Sequence, residues 1–107
     1  MVEKFTFEIT SKHDITEIVD KIVEESNNVT DEDLEKVPKQ FRNYFKSMLS
    51  NMIFISRHEK GKHYIDVLMP YKLGKVGKIM LDKTLGLSSR LKKIFDELGI
   101  DVKVKLL

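Results

Sequence analysis

The chain has 107 residues, of which 41% are hydrophobic and 34% are charged, and its formal net charge at pH 7 is +2. This length fits a single domain over residues 1–107, the apolar content excludes an intrinsically disordered chain, and the lack of cysteine excludes disulfides, thiolate metal ligands and cysteine nucleophiles. No run approaches the roughly 20 apolar residues of a membrane span and no signal-peptide pattern is present, so we expect a cytoplasmic protein without a membrane partner.

The first third of the chain predicts a strand followed by a helix. Residues 3–10 alternate apolar and polar side chains, a period of two that is typical of a strand with one buried face. Asp14 and Glu17 then form a capping box, and the apolar residues that follow fall on one stripe of a helix that Asn27 and Asn28 end.

A main helix is predicted to begin near Pro38, after a short turn that precedes the proline. Proline is favoured in the first turn of a helix because its missing N–H would have no partner there. We expect the apolar stripe of this helix to contribute most strongly to the core, and its members are Phe41, Tyr44, Phe45, Met48 and Leu49.

A β-hairpin follows, with strands over 52–56 and 63–69 joined across 59–62 and the second strand ended by Pro70. A register in which paired numbers sum to 121 sets His58 opposite His63 and Arg57 opposite Tyr64. The more apolar face of this hairpin is then expected to meet the helices. Arg57 and Tyr64 lie on the other, mixed face.

The last third predicts an irregular basic segment, a helix and a strand. Residues 71–88 contain three glycines and little periodicity, so we expect a mostly irregular loop with at most a short element around 79–81. A helix is predicted over 89–98 and ends at Gly99, a residue type suited to a left-handed C-cap. Residues 100–106 alternate again and predict the final strand.

The predicted element order is therefore β-α-α-β-β-α-β. Treating the two early helices as one unit gives the β-α-β-β-α-β plan of a ferredoxin-like sandwich. We expect an α+β domain in which helices cover one face of an antiparallel sheet.

The charges are divided unevenly along the chain. Residues 1–56 carry 7 basic and 11 acidic side chains, whereas residues 57–107 carry 12 basic and 6 acidic ones. Such an asymmetry attracts an anionic partner to one end of the domain, although a solvated lysine surface neutralised by the acidic half is the alternative. Over 72–93 only Asp82 opposes seven basic residues, which are Lys72, Lys75, Lys78, Lys83, Arg90, Lys92 and Lys93.

Two further features indicate a polyanion as the partner. Gly74 and Gly77 form a Gly-x-x-Gly segment among lysines, where backbone N–H groups can approach phosphate, unless the segment is only a flexible, solubilising turn. Arg57 beside Tyr64 suits the stacking of bases, with an ordinary cross-strand pair as the alternative. The sequence thus predicts a small, non-catalytic module that binds RNA or DNA through these four residues and the seven basic ones.

Two other hypotheses remain open at this stage. Exposed Ile53, Ile55 and Leu68 would favour a protein-interaction or homodimerisation domain. His58 and His63, with a nearby carboxylate from Glu59 or Asp66, would form the metal site of a hydrolase. The sequence contains no catalytic or cofactor motif, so we expect no enzyme activity, no cofactor and no bound metal.

The composition is biased toward lysine, with 16 lysines against 3 arginines and no alanine at all. Heat-adapted proteins enrich lysine and glutamate in surface ion-pair networks. An AT-rich genome produces the same bias, so the sequence leaves both explanations open.

Overall fold

The computed structural model describes residues 3–28, 31–35, 38–70, 72 and 74–107. In chain order its elements are β1 (Glu3–Ser11), α1 (Thr16–Asn27), α2 (Asp31–Leu34), α3 (Lys39–Ser50), β2 (Ile53–Glu59), β3 (Lys62–Met69), α4 (Gly74–Leu85), α5 (Leu87–Glu97) and β4 (Val102–Leu106). The strands form one antiparallel sheet in the order β2-β3-β1-β4, so β2 and β4 are its edges. The predicted α+β class is confirmed. Among the described helices, none has both the length and the apolar character needed to cross a bilayer.

The hydrophobic core lies between one face of the sheet and two helices, α1 and α5. On the central strand β1, Phe5, Phe7 and Ile9 are at most 2% exposed. Val19 of α1 and Phe95 of α5 are fully buried against this face. Each such side chain stabilises the fold by about 1.5–3 kcal/mol through its removal from water. We call this side of the sheet the closed face.

The hairpin has the predicted register. Arg57 pairs with Tyr64 and His58 with His63, and β3 ends at Met69 just before Pro70. Because side chains alternate along a strand, Phe54, His63 and the other residues of that set lie on the closed face. The opposite set, including Arg57 and Tyr64, lies on the other side of the sheet, as predicted.

The expectation of an irregular segment over 71–88 is wrong, because residues 74–85 form the helix α4. Gly74 begins this helix with a φ of +67°, a left-handed conformation that glycine adopts without steric cost. Gly77 follows in the first turn, and good helix formers come after it. The sequence pattern failed because α4 contributes little to the core. Val76 and Met80 are 71% and 62% exposed, and Leu81 is only partly buried, so no strong apolar stripe marks the helix.

The helix α3 begins just after Pro38, as predicted. Phe41, the first member of its apolar stripe, is 48% exposed. The other four side chains of that stripe lie outside the described part of the structure. The expectation that the stripe is the strongest contributor to the core therefore stays a prediction.

The outer edge of β2 is covered by a side chain of α1. Asn27 donates its amide N–H to the carbonyl of Phe54, and its amide oxygen accepts the Phe54 N–H, both at 2.9 Å. The amide thus pairs with Phe54 as a neighbouring strand would. These two bonds satisfy backbone groups that an edge strand otherwise leaves open to another chain.

Replacing Asn27 by alanine is expected to lower the free energy of unfolding by about 1–2 kcal/mol, because two backbone hydrogen bonds are lost. Asn28→Ala is the matched control, since the Asn28 amide bonds only the Glu24 carbonyl within the helix end. Urea denaturation of both variants measures the difference. Equal stabilities for the two variants would show that the Asn27 amide does not secure β2.

Candidate nucleic-acid interface

The side of the sheet opposite the core carries a regular array of polar and charged side chains, which we call the open face. We call a set of residues that are paired across neighbouring strands a row. Each row runs at right angles to the strand direction. The residues of the open face are Lys4, Thr6, Glu8 and Thr10 of β1, Ile53, Ile55, Arg57 and Glu59 of β2, Lys62, Tyr64, Asp66 and Leu68 of β3, and Lys103 and Lys105 of β4.

The most constrained residue of the open face is Asp66. Its carboxylate accepts hydrogen bonds from Arg57 Nε at 2.5 Å and Arg57 Nη2 at 3.1 Å, and from the Thr6 hydroxyl at 2.6 Å. The hydrogen bonds from Arg57, followed by that from Thr6, hold the pKa of Asp66 below its ordinary value against the opposing effect of burial. Asp66 is only 4% exposed, so its carboxylate fixes the orientation of the guanidinium from below.

The guanidinium of Arg57 lies over the ring of Tyr64, with 4.7 Å between Arg57 Cζ and the ring centroid. This distance is within the range of a cation–π interaction. The bond to Asp66 raises the pKa of Arg57, which therefore stays charged. The Arg57 side chain is 45% exposed, so one side of a fixed, planar cation is accessible to a ligand.

One row of the open face extends from this pair across all four strands. Arg57 pairs with Tyr64, Tyr64 with Glu8, and Glu8 with Lys105. At a spacing of about 4.8 Å between strands, the row is about 14 Å long. It therefore connects the Arg57–Tyr64 pair to a lysine of β4.

The lysines of β4 adjoin those of α5, and together they form what we call the basic edge: Lys92, Lys93, Lys103 and Lys105. A shallow groove of about 760 Å³ runs along this edge, with Ser88, Ser89 and Asp96 of α5 and Glu8 of β1 also in its lining. Lys92 is held by Asp96 at 2.8 Å and lies 3.7 Å from Asp101, and the bond to Asp96 raises its pKa. Within the described part of the chain, the other three lysines have no ion pair.

The basic residues predicted from the sequence divide between several surfaces. Lys92 and Lys93 line the groove of the basic edge, whereas no described residue of α4 does. Lys78 instead binds Glu3 at 3.3 Å and donates to the Lys4 carbonyl at 3.0 Å, which secures α4 against β1. Arg90 does not line the groove, although Lys93 follows it one turn later on α5.

Three predicted lysines remain outside these contacts. Lys72 precedes α4, and Lys75 and Lys83 lie on it; all three are exposed and lack an ion pair among the described residues. Gly74 and Gly77 belong to the same helix, so their segment begins α4 and does not form a loop around a ligand.

Sequence reasoning missed Lys103 and Lys105. Their alternation with Val102, Val104 and Leu106 did place them on the polar side of the last strand. The sequence does not show which elements lie next to that strand. In the structure, β4 pairs with β1 and packs beside α5. That arrangement alone brings the two lysines next to Lys92 and Lys93.

The two histidines of the hairpin lie on the closed face and form a hydrogen-bonded chain with α1. His58 Nε2 is 2.7 Å from Asp20 Oδ1, and the Nδ1 atoms of His58 and His63 are 2.8 Å apart. Asp66 lies on the open face, so it cannot complete a metal site with these imidazoles. Within the described ranges, no group of three or more His, Asp or Glu side chains is arranged so that it could hold a metal ion.

Comparisons of the chain with protein-family models, with curated proteins and with solved structures found no match. What the protein binds is therefore inferred from its own side chains.

Proposed function

We propose that this protein is a non-catalytic module that binds single-stranded RNA or DNA across its open face. The observation that carries the proposal is the Arg57–Tyr64 pair, in which a buried carboxylate fixes an accessible guanidinium plane over an aromatic ring. Bases stack on aromatic rings and on arginine planes with little dependence on sequence. An ordinary cross-strand pair would not need the second, buried partner that Asp66 provides.

Phosphates would be bound at the other end of the same row. Lys105 lies on that row and Lys103 on the next one, and neither has an ion pair within the described residues. A strand that stacks on Arg57 thus reaches these two lysines about 14 Å away, beyond Glu8, across the width of the sheet. Lys93 adds a further positive charge around the edge, next to Lys92, which is paired with Asp96. Release of counterions from the bound phosphates would make the affinity strongly dependent on salt.

We further propose a ferredoxin-like classification. Starting from β4, the strand order is β4-β1-β3-β2, which is the order expected for the β-α-β-β-α-β plan, with α4 inserted before the second covering helix. Four-stranded sheets of RNA-recognition modules bind single strands on their uncovered face, which supports the proposed use of the open face by analogy.

The homodimer hypothesis rests on Ile53 and Ile55, which are 55% and 43% exposed at one corner of the open face beside Leu68. Stable interfaces bury about 800 Å² on each partner, equivalent to some 20–30 residues. Three apolar side chains are too few to form such an interface. We therefore propose that these three side chains form an apolar border of the nucleic-acid surface.

The experiment compares two charge reversals of equal size. Lys103→Glu with Lys105→Glu is expected to weaken binding of a fluorescent 12-nucleotide oligo(U) or oligo(dT) at least tenfold, measured by anisotropy at low salt. Lys75→Glu with Lys83→Glu is the control and is expected to weaken binding less than threefold, because α4 lies outside the groove.

Equal losses in the two double variants would show that only the total charge of the protein matters. The absence of binding by the wild-type protein at 50 mM salt would refute the proposal itself. A duplex of the same length is expected to bind more weakly than the single strand, because its bases are not available for stacking on Arg57.

A further inference from the structure

The two edges of the sheet differ in whether they can accept another strand. On the β2 edge, Asn27 bonds both backbone groups of Phe54, and the Ser56 side chain donates to Asp20 of α1 at 2.6 Å. α1 therefore occupies the outward backbone groups of β2 at Phe54. On β4, by contrast, no strand among the described residues pairs with the outer side.

One hydrogen bond shows which N–H and C=O groups of β4 point toward β1 and which point outward. The N–H of Leu107 donates to the Thr6 carbonyl of β1 at 2.9 Å, so the backbone of residue 107 points into the sheet. Hydrogen-bonding groups alternate in direction along a strand. The N–H and C=O groups of Val102, Val104 and Leu106 thus point outward, and Val102 and Val104 line the groove.

The side chains on both sides of this row of backbone groups are mainly cationic. Lys92 and Lys93 of α5 lie on the helix side, and Lys103 and Lys105 lie on the open-face side. Alternate side chains of an added strand would face these two sides in turn. A segment with acidic residues on either face is therefore complementary to the groove.

A second copy of this chain fits the edge poorly. Antiparallel pairing of β4 with β4 of another copy would bring Lys103 and Lys105 of the two copies close together. Like charges that are close across paired strands are destabilising, and lysines on edge strands commonly prevent self-association.

We propose that the free edge of β4 binds an extended, acidic segment of another protein by strand addition. Main-chain hydrogen bonds to Val102, Val104 and Leu106 would supply affinity, and the four lysines of the basic edge would supply specificity for acidic side chains. This inference shares the four lysines of the basic edge with the proposed nucleic-acid binding. It differs in that it requires the outward backbone groups of β4 and does not require Arg57 or Tyr64.

The test uses an eight-residue peptide of alternating valine and glutamate with blocked ends. Binding is expected to slow hydrogen exchange of the Val104 and Leu106 amides at least tenfold. The amides of Lys103 and Lys105 already point toward β1 and should change little. The control peptide has the same sequence with every backbone nitrogen methylated, which preserves its charge but removes all of its backbone donors.

Val104→Pro is the matched protein variant, because it removes an outward N–H and proline is tolerated on the outer side of an edge strand. It is expected to weaken peptide binding at least tenfold while leaving oligonucleotide binding within threefold of wild type. If the variant does not fold, the exchange measurement on the wild-type protein still tests whether the peptide binds the β4 edge.

Two results would overturn the inference. Equal binding of the methylated peptide would show attraction by charge without strand addition. Unchanged exchange at Val104 and Leu106 with saturating peptide would show that the β4 edge is not used. Protection of these amides by the oligonucleotide and not by the peptide would assign the edge to nucleic acid.

Discussion

Replacing Asp66 by alanine is expected to lower the free energy of unfolding by about 3 kcal/mol. Loss of one partner of a buried ion pair typically costs 3–5 kcal/mol, and the value here lies at the lower end because the arginine partner can be hydrated. The Thr6 hydroxyl, in a residue only 8% exposed, also loses its acceptor. Urea denaturation measures the change.

The same substitution separates the structural role of Asp66 from its effect on binding. Without the carboxylate, the guanidinium of Arg57 is no longer held over Tyr64, and we expect about fivefold weaker oligonucleotide binding. Thr6→Val is the matched control, because it removes one hydrogen bond to Asp66 and leaves both bonds from Arg57. That variant should lose about 1 kcal/mol of stability and retain its affinity. Full affinity in Asp66→Ala would contradict the proposed role of the fixed guanidinium.

The hairpin and its two faces could be predicted because local sequence determines them. The short connection at Gly61 sets the register, and a period of two then assigns each side chain to a face. The pairs Arg57–Tyr64 and His58–His63 follow from the sequence, and the structure confirms both.

The basic edge could not be assembled in the same way. It joins α5 to β4 through packing, and it depends on β4 lying beside β1, a contact between residues almost 100 positions apart in the chain. The density of lysines over 72–93 instead predicts a binding surface that includes the residues of α4. Counting charge along the chain does not reveal that Lys78 is bonded to Glu3 or that Arg90 lies outside the groove.

The helix α4 could not be predicted from the sequence for a related physical reason. Periodicity marks a helix only when one side of it is buried, and α4 exposes Val76, Ile79 and Met80. Its position instead depends on polar contacts. Lys78 bonds Glu3 near its beginning, and Asp82 accepts hydrogen bonds from the backbone N–H and hydroxyl of Ser88 in α5.

The chain of side chains from Asp20 through His58 to His63 connects α1 to the hairpin and contains a buried imidazole. His63 is 4% exposed, and burial, followed by the charge of His58, lowers its pKa. Asp14 and Asp20 oppose this shift. Because the two Nδ1 atoms face each other at 2.8 Å, only one of them can carry a proton in this arrangement.

Lowering the pH from 7 to 5 is therefore expected to destabilise the protein. In the unfolded chain His63 binds a proton near its ordinary pKa of 6.5, whereas in the folded state it binds a proton only at lower pH. The free energy of unfolding therefore decreases as the pH falls below 6.5. Each pKa unit between the two states corresponds to about 1.4 kcal/mol. The pKa of Asp20 is lowered by its bonds to Ser56 and His58, so its contribution is lost only below pH 4, outside this window.

Urea denaturation at pH 7, 6 and 5 measures this dependence, with His63→Gln as the test variant. Glutamine can still bond His58 but does not titrate, so the loss of stability between pH 7 and 5 should be much smaller than in the wild type. His13→Gln removes an exposed imidazole as the control and should leave the dependence unchanged. If His63→Gln retains the full pH dependence, then the buried imidazole is not its source, and protonation must act on another part of the fold.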